Sequence, residues 1–201
     1  MKFCVLMGSP REAGNTAALL APFLEECGAL GSQVQVIPLY DRAINPCLGC
    51  MACQDAPDGP GCVQDDDFAA IFQAMADCDV IVLATPIYAF FCTAPMKALL
   101  GRAIYAGVKN YGREKGPRLL AGKRLAAIAT CGYPPERGAD LWEEGVKRFC
   151  RHGGLEYMGI FCRRDWGSRE PFMNEEREQA VRDFAQALTL AVRADNMAEL
   201  T

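Results

Sequence analysis

Residues 2–16 read KFCVLMGSPREAGNT. The run from Lys2 to Met7 is short, apolar and of β type, and Gly8, Ser9 and Pro10 stop it. From Asn15 onward the spacing changes, because Leu19, Leu20, Phe23 and Leu24 recur at helical intervals. The opening unit is therefore strand, loop, helix, and it repeats. Further strands are expected at 33–39, 79–84, 124–130 and 155–162, with helices near 66–76, 94–106, 137–151 and 174–194. Residues 79–84, DVIVLA, show almost no polar alternation, as a strand covered by helices on both faces requires. Right-handed crossovers then predict an α/β fold: a doubly wound, five-stranded parallel sheet in the order 2-1-3-4-5, forming one domain over 1–201. Ligands of such sheets sit beyond the carboxyl ends of the strands beside the switch point, so the loops after strands one, three and four are the candidate site.

Composition removes other classes. The 201 residues are 51% hydrophobic, enough for one well-buried core. The formal charge is -4 and the basic residues are scattered among acidic ones, so no stripe exists to hold a nucleic-acid backbone. No segment approaches the roughly 20 apolar residues of a membrane span, and residues 3–7 are too short for the apolar part of an export signal. A cytoplasmic location is expected, and with it eleven cysteines that serve as reduced thiols, metal ligands or redox groups rather than as a disulfide framework.

Two stretches exceed the minimal repeat. Residues 44–67 are rich in Cys, Gly, Pro and Asp and separate strand two from its helix by far more than the roughly two to six residues usual there. Residues 107–122, with Lys109, Arg113, Lys115, Arg118 and four glycines, read as an exposed connection.

In the first loop, Gly8 to Thr16 can aim backbone N–H groups, the Ser9 and Thr16 hydroxyls and the Asn15 amide at an anion, with the helix dipole in support. A phosphate suits it. Pro10 breaks the dinucleotide G-x-G-x-x-G pattern, and Asn15 stands where a P-loop carries Lys. The bland alternative is that Asn15 or Thr16 only caps the helix. After strand three, Pro86, Ile87, Tyr88, Ala89, Phe90 and Phe91 offer an apolar wall for a flat ring, or a subunit contact, or both.

Taken together, G-S-P-R-x-x-G-N-T after the first strand, D-V-I-V-L-A-T-P-I-Y after the third and P-M-K-A-L-L-G-R beyond it resemble the NADPH-dependent FMN reductase and iron–sulfur flavoprotein group of the flavodoxin-like fold. The resemblance implies that Ser9, Arg11, Gly14, Asn15 and Thr16 hold the FMN phosphate. It implies too that Pro86, Ile87, Tyr88, Ala89 and Phe90 flank the ring, and that Thr130, Cys131, Gly132 and Tyr133 form a third side. Gly101 departs from the group, many of whose members carry Asp before the residue seen here as Arg102. A flavin does the electron chemistry itself, so no catalytic side chain is assigned. NAD(P)H or a reduced carrier is the expected donor, a small molecule or protein the acceptor, and a homodimer or homotetramer the expected assembly.

Cys47, Cys50 and Cys53 form a C-x2-C-x2-C run, and Cys62 follows with eight residues between. Four thiolates so spaced suit a [4Fe–4S] cluster, and the group resembled carries such a motif after strand two, with a shorter last gap. Free thiols or a labile disulfide and a zinc site meet the same pattern. The corresponding functions are a cluster-bearing FMN oxidoreductase, a cluster-free quinone or FMN reductase, and a zinc-clipped binding module. Cys4 and Cys162 read as core residues, His152 as a residue of a helix end, and Asp65, Asp66 and Asp67 as the opening of the second helix. Trp142 and Trp166 have no role fixed by sequence.

Overall fold

The computed structural model describes residues 1–56, 58–110, 116–165, 167 and 171–198, with side chains as far as residue 194. Five strands, β1 (Lys2–Met7), β2 (Gln33–Pro38), β3 (Val80–Pro86), β4 (Arg124–Cys131) and β5 (Glu156–Arg164), form one sheet in the order β2-β1-β3-β4-β5. Every pairing is parallel, as the repeated strand-helix unit demands. The helices are α1 (Asn15–Ala29), α2 (Phe68–Asp77), α3 (Ala94–Ala106), α4 (Pro135–Gly138), α5 (Asp140–Gly153) and α6 (Glu175–Ala198).

Alternation along the strands divides the core in two. Phe3, Val5, Val82, Ala126 and Ile128 pack under α1 and α6, against Leu19, Phe23, Val181 and Leu188. Cys4, Leu6, Ile81, Leu83 and Leu125 face the other way, onto Phe68, Phe72, Met96, Leu99, Trp142 and Val146 of α2, α3 and α5. All seven residues of β3 are buried, the burial anticipated from its unbroken apolar run.

The expected helix at 137–151 is instead two helices that meet at Ala139, because Pro134 and Pro135 start a short turn before α5 begins. Nor is the 107–122 connection simply exposed. Val108, Lys109 and Leu120 are buried, while Arg113 and Lys115 lie outside the described residues. Composition misled here, since a basic, glycine-rich stretch reads as solvated unless a partner for its lysine is known. Cys4 and Cys162 are buried and Trp142 belongs to the core; Trp166 lies outside the described residues. His152 sits in the last turn of α5, ahead of the left-handed Gly154. Among the described residues no helix is long and apolar enough to cross a membrane.

Candidate functional site

At the carboxyl edge of the sheet three loops are tied into one platform. Gly8 N–H donates to Ala84 O at 2.7 Å and the Thr93 hydroxyl donates to Gly8 O at 2.7 Å, which joins the loop after β1 to the end of β3 and the start of α3. A Cβ at Gly8 would stand 3.0 Å from Thr93 Oγ1 and 3.1 Å from Met96 Cε, so a side chain here would press on the Thr93 hydroxyl that ties the loop down. Thr16 and Thr130 share a buried hydroxyl hydrogen bond of 2.9 Å, and Ile87 N–H donates to Thr130 O at 2.7 Å. The third loop is held by Arg164, whose Nε donates to Gly132 O at 2.9 Å, and by Asp165 N–H on Cys131 O at 2.7 Å.

Gly14, not Asn15 or Thr16, is the N-cap of α1. With no side chain to turn back on the helix, it leaves the first-turn N–H groups to whatever lies in front of them. Gly14 N–H bonds Arg11 O at 3.1 Å, and a Cβ at Gly14 would meet Arg11 Cβ at 2.9 Å, so the Arg11 side chain folds close over the helix end. Ser9 is buried, its Oγ accepting from Arg11 N–H at 3.2 Å. The result is a compact, cation-flanked turn at a helix N-terminus, suited to an anion.

The loop after β3 carries strain. Tyr88 and Phe91 exchange backbone hydrogen bonds of 2.8 and 3.0 Å across a tight turn whose central residues, Ala89 and Phe90, have φ of 49° and 70°. Left-handed backbone disfavours both side chains, and such strain collects at binding sites. The turn projects Phe90 and Phe91 into solvent, and Phe90 stacks on Tyr133 at 5.7 Å between centroids and 24° between planes. Tyr88 and Tyr133 are exposed as well, so two loops present an aromatic surface. Thus each residue expected to face an FMN lies on one of three mutually bonded loops or on the strand or helix end that adjoins it, at the carboxyl edge of the sheet.

The cysteine segment forms a second centre. Cys47, Cys50, Cys53 and Cys62 rim one hollow, with Arg102 and Tyr105 of α3 at its inner wall. Left-handed residues at Gly49 (φ 66°) and Met51 (φ 60°) reverse the chain between the first three cysteines. Among the described residues no three of His, Cys, Asp and Glu stand together as a single-ion site. Three N–H groups reach sulfur: Gly49 N–H to Cys47 at 3.4 Å, Gln54 Nε2 to Cys53 at 3.6 Å and Arg102 Nη2 to Cys62 at 3.1 Å.

The long gap before Cys62 does not move that residue away. Lys109, 3% exposed, donates its Nζ to Cys53 O at 2.8 Å and to Pro60 O at 3.3 Å, gripping both ends of the intervening segment. Burial holds its ammonium below the usual lysine value, opposed by the nearby Cys53. Gln54 Nε2 adds bonds to Tyr105 O at 2.7 Å and Val108 O at 3.2 Å.

Arg102 anchors the other side. Its Nη1 meets Asp66 Oδ2 at 2.5 Å and Asn45 O at 3.3 Å, and its guanidinium lies 4.1 Å over the Phe68 ring. Asp66 also accepts from Asn45 N–H at 2.9 Å and Phe68 N–H at 3.1 Å. Burial pushes its carboxyl upward, yet Arg102 and these two N–H groups outweigh burial and hold it below the usual carboxylate value. Asp66 thus opens α2, as expected, and in addition carries the ion pair.

Lys109, Gln54, Arg102 and Arg164 were not legible as site residues, because each acts on a partner distant in sequence. The other cysteines differ in kind. Burial raises the thiols of Cys27 and Cys150 to about 12 and that of Cys92 to about 11, so they stay protonated at neutral pH. Gly101 faces a separate groove between α3 and α5 and has open space around its Cβ position, so its departure from the resembled group leaves the three-loop platform untouched.

The family described as NADPH-dependent FMN reductase matches residues 1–139. An iron–sulfur flavoprotein of Archaeoglobus fulgidus is 36% identical over 160 residues, covering 80% of this chain and 65% of that protein. A second from the same organism is 30% identical over 136 residues, covering 68% of this chain and 58% of the relative. The matched part thus spans less than two thirds of either relative's length. Among solved structures, an FMN-dependent NADH-azoreductase from Bacillus anthracis in complex with FMN superposes with a TM-score of 0.71 at 16% identity, covering 94% of this chain and 99% of that one. At that identity the likeness concerns the fold, which is flavodoxin-like.

Proposed function

The chain belongs to the NADPH-dependent FMN reductase family, and from that premise we propose that it is an FMN-dependent oxidoreductase whose second centre is a [4Fe–4S] cluster. The observation that carries the reading is the pairing of an uncapped helix N-terminus, roofed by Arg11, with an exposed aromatic surface on loops bonded to it. An anion and a flat apolar ring are the two halves of FMN.

In this reading the first-turn N–H groups of α1, with Ser9, Arg11, Gly14, Asn15 and Thr16, hold the phosphate. Residues 86–90, from Pro86 through Ile87, Tyr88 and Ala89 to Phe90, flank the ring together with Thr130, Cys131, Gly132 and Tyr133. When bound, FMN supplies the hydride and single-electron chemistry. The protein's part is binding and orientation: Thr16–Thr130 fixes the distance between phosphate loop and ring loop, and the strained 88–91 turn sets the aromatic wall. No side chain is required as acid, base or nucleophile.

Cys47, Cys50, Cys53 and Cys62 hold the cluster in this reading. Four cysteines around one hollow supply the all-thiolate donor set that such a cluster takes. N–H groups already aimed at three of the sulfurs favour the same group. The cluster supplies one-electron transfer between flavin and a partner. NAD(P)H or a reduced carrier is the donor in this proposal, the working form is a homodimer or homotetramer, and the place is the cytoplasm.

Anaerobic purification with flavin, iron and acid-labile sulfide analysis tests both parts. One FMN released per chain, with about four irons and four sulfides, is the expected result. A yellow, iron-free protein would reduce the reading to a cluster-free quinone or FMN reductase. A colourless protein with stoichiometric zinc would replace it by a binding module.

A further inference from the structure

Arg102 is 2% exposed, yet nothing in the apolar packing of α3 calls for a cation. A buried ion pair is weak evidence of a stability role, since apolar residues of similar volume often serve as well. Its Nε is buried without a hydrogen-bond partner, so the contacts of the group lie at its two amino ends. The rest of the guanidinium is fully determined. Asp66 and Asn45 hold Nη1, the Phe68 ring holds the plane, and the remaining amino group, Nη2, is thereby aimed at Cys62 Sγ at 3.1 Å. Of the N–H groups that reach a cysteine in the hollow among the described residues, this is the one that carries a full charge.

We propose that Arg102 is the positioning residue of the cysteine centre: it holds Cys62 as the fourth ligand and, through its charged N–H···S bond, biases the cluster toward its reduced form. The inference rests on the cluster reading given above. Its physics is simple. Uptake of one electron adds one negative charge to the core and its thiolates, and a donor fixed on a thiolate stabilises that added charge. Asp66 neutralises the charge of Arg102 in the absence of a cluster, and because the fork is planar, Nη1 on Asp66 leaves Nη2 directed at Cys62. The centre is therefore asymmetric: Cys62 and Cys53 are half-buried and bonded by side chains, whereas Cys47 and Cys50 are exposed.

The test compares wild type, Arg102→Gln and Arg102→Lys, each reconstituted anaerobically with iron and sulfide and titrated against redox mediators, the reduced cluster being followed by electron paramagnetic resonance. The expected result for R102Q is a reduced fraction about tenfold lower at a given potential, equivalent to a midpoint about 59 mV more negative for a one-electron couple. R102K, which keeps a charged donor without the fork, falls between the two and serves if R102Q does not fold. A change confined to melting temperature, with the midpoint of a loaded variant equal to wild type, overturns the inference while leaving the cluster reading intact. A wild-type chain that accepts no iron–sulfur core overturns both.

Discussion

At the scale of single residues, the site combines a turn that costs stability with a buried hydrogen bond that supplies it. Ala89 has a left-handed backbone that glycine would adopt freely, so Ala89→Gly is expected to gain about 1 kcal/mol and raise the melting temperature by roughly 2–4 °C. Calorimetry decides the matter, and an unchanged or lower melting point would show that the turn is not strained. Thr16→Val acts in the opposite direction. It leaves the Thr130 hydroxyl buried without its partner, a loss of about 1–3 kcal/mol, and it loosens the phosphate loop from the ring loop. Weaker FMN retention than the stability loss alone produces in a remote core variant is the expected signature, read by fluorescence of released flavin.

At the scale of elements, the cysteine segment is a loop made rigid by others. Its pH response follows from Asp66, whose carboxyl is held below the usual value in the folded chain. The stabilisation is therefore complete above the unfolded carboxylate value of about 3.9 and is lost as the pH falls through the lower, folded one. Urea denaturation should show this contribution constant from neutrality to about pH 5 and declining below about pH 4. Asp66→Asn should remove that part of the acid slope; a slope identical to wild type would refute the assignment. Much of this architecture was legible in the sequence and some was not, for a physical reason. The unbroken apolar run of β3 and the turn from Gly8 to Thr16 are local patterns, and residues 79–84 and 8–16 announce them. The grip of Arg102 on Asp66 and Cys62 spans 36 and 40 residues, and that of Lys109 on Cys53 spans 56. No spacing rule reaches across such distances, so Lys109 read as a solvated cation when it is a buried brace.

At the scale of the whole molecule, the three bonded loops close the carboxyl edge of the central strands, so a ligand there should stabilise the fold. FMN at a hundredfold excess over its dissociation constant should add about 2.7 kcal/mol. For a chain of this size that corresponds to a rise of roughly 5–10 °C in melting temperature, while riboflavin, lacking the phosphate, should give a smaller one. Equal shifts for the two compounds would remove the anion site from the account. The lysine grip on both ends of the 53–60 segment has a consequence of another sort. Between those two fastened points the chain is drawn shut like a pouch, and around its tip at Asp58 and Gly59 lies open solvent. The tip is where extra residues, a reporter peptide or a fluorescent tag, can be spliced in without disturbing the neck, because the neck is knotted by Lys109 and not by the length of the thread.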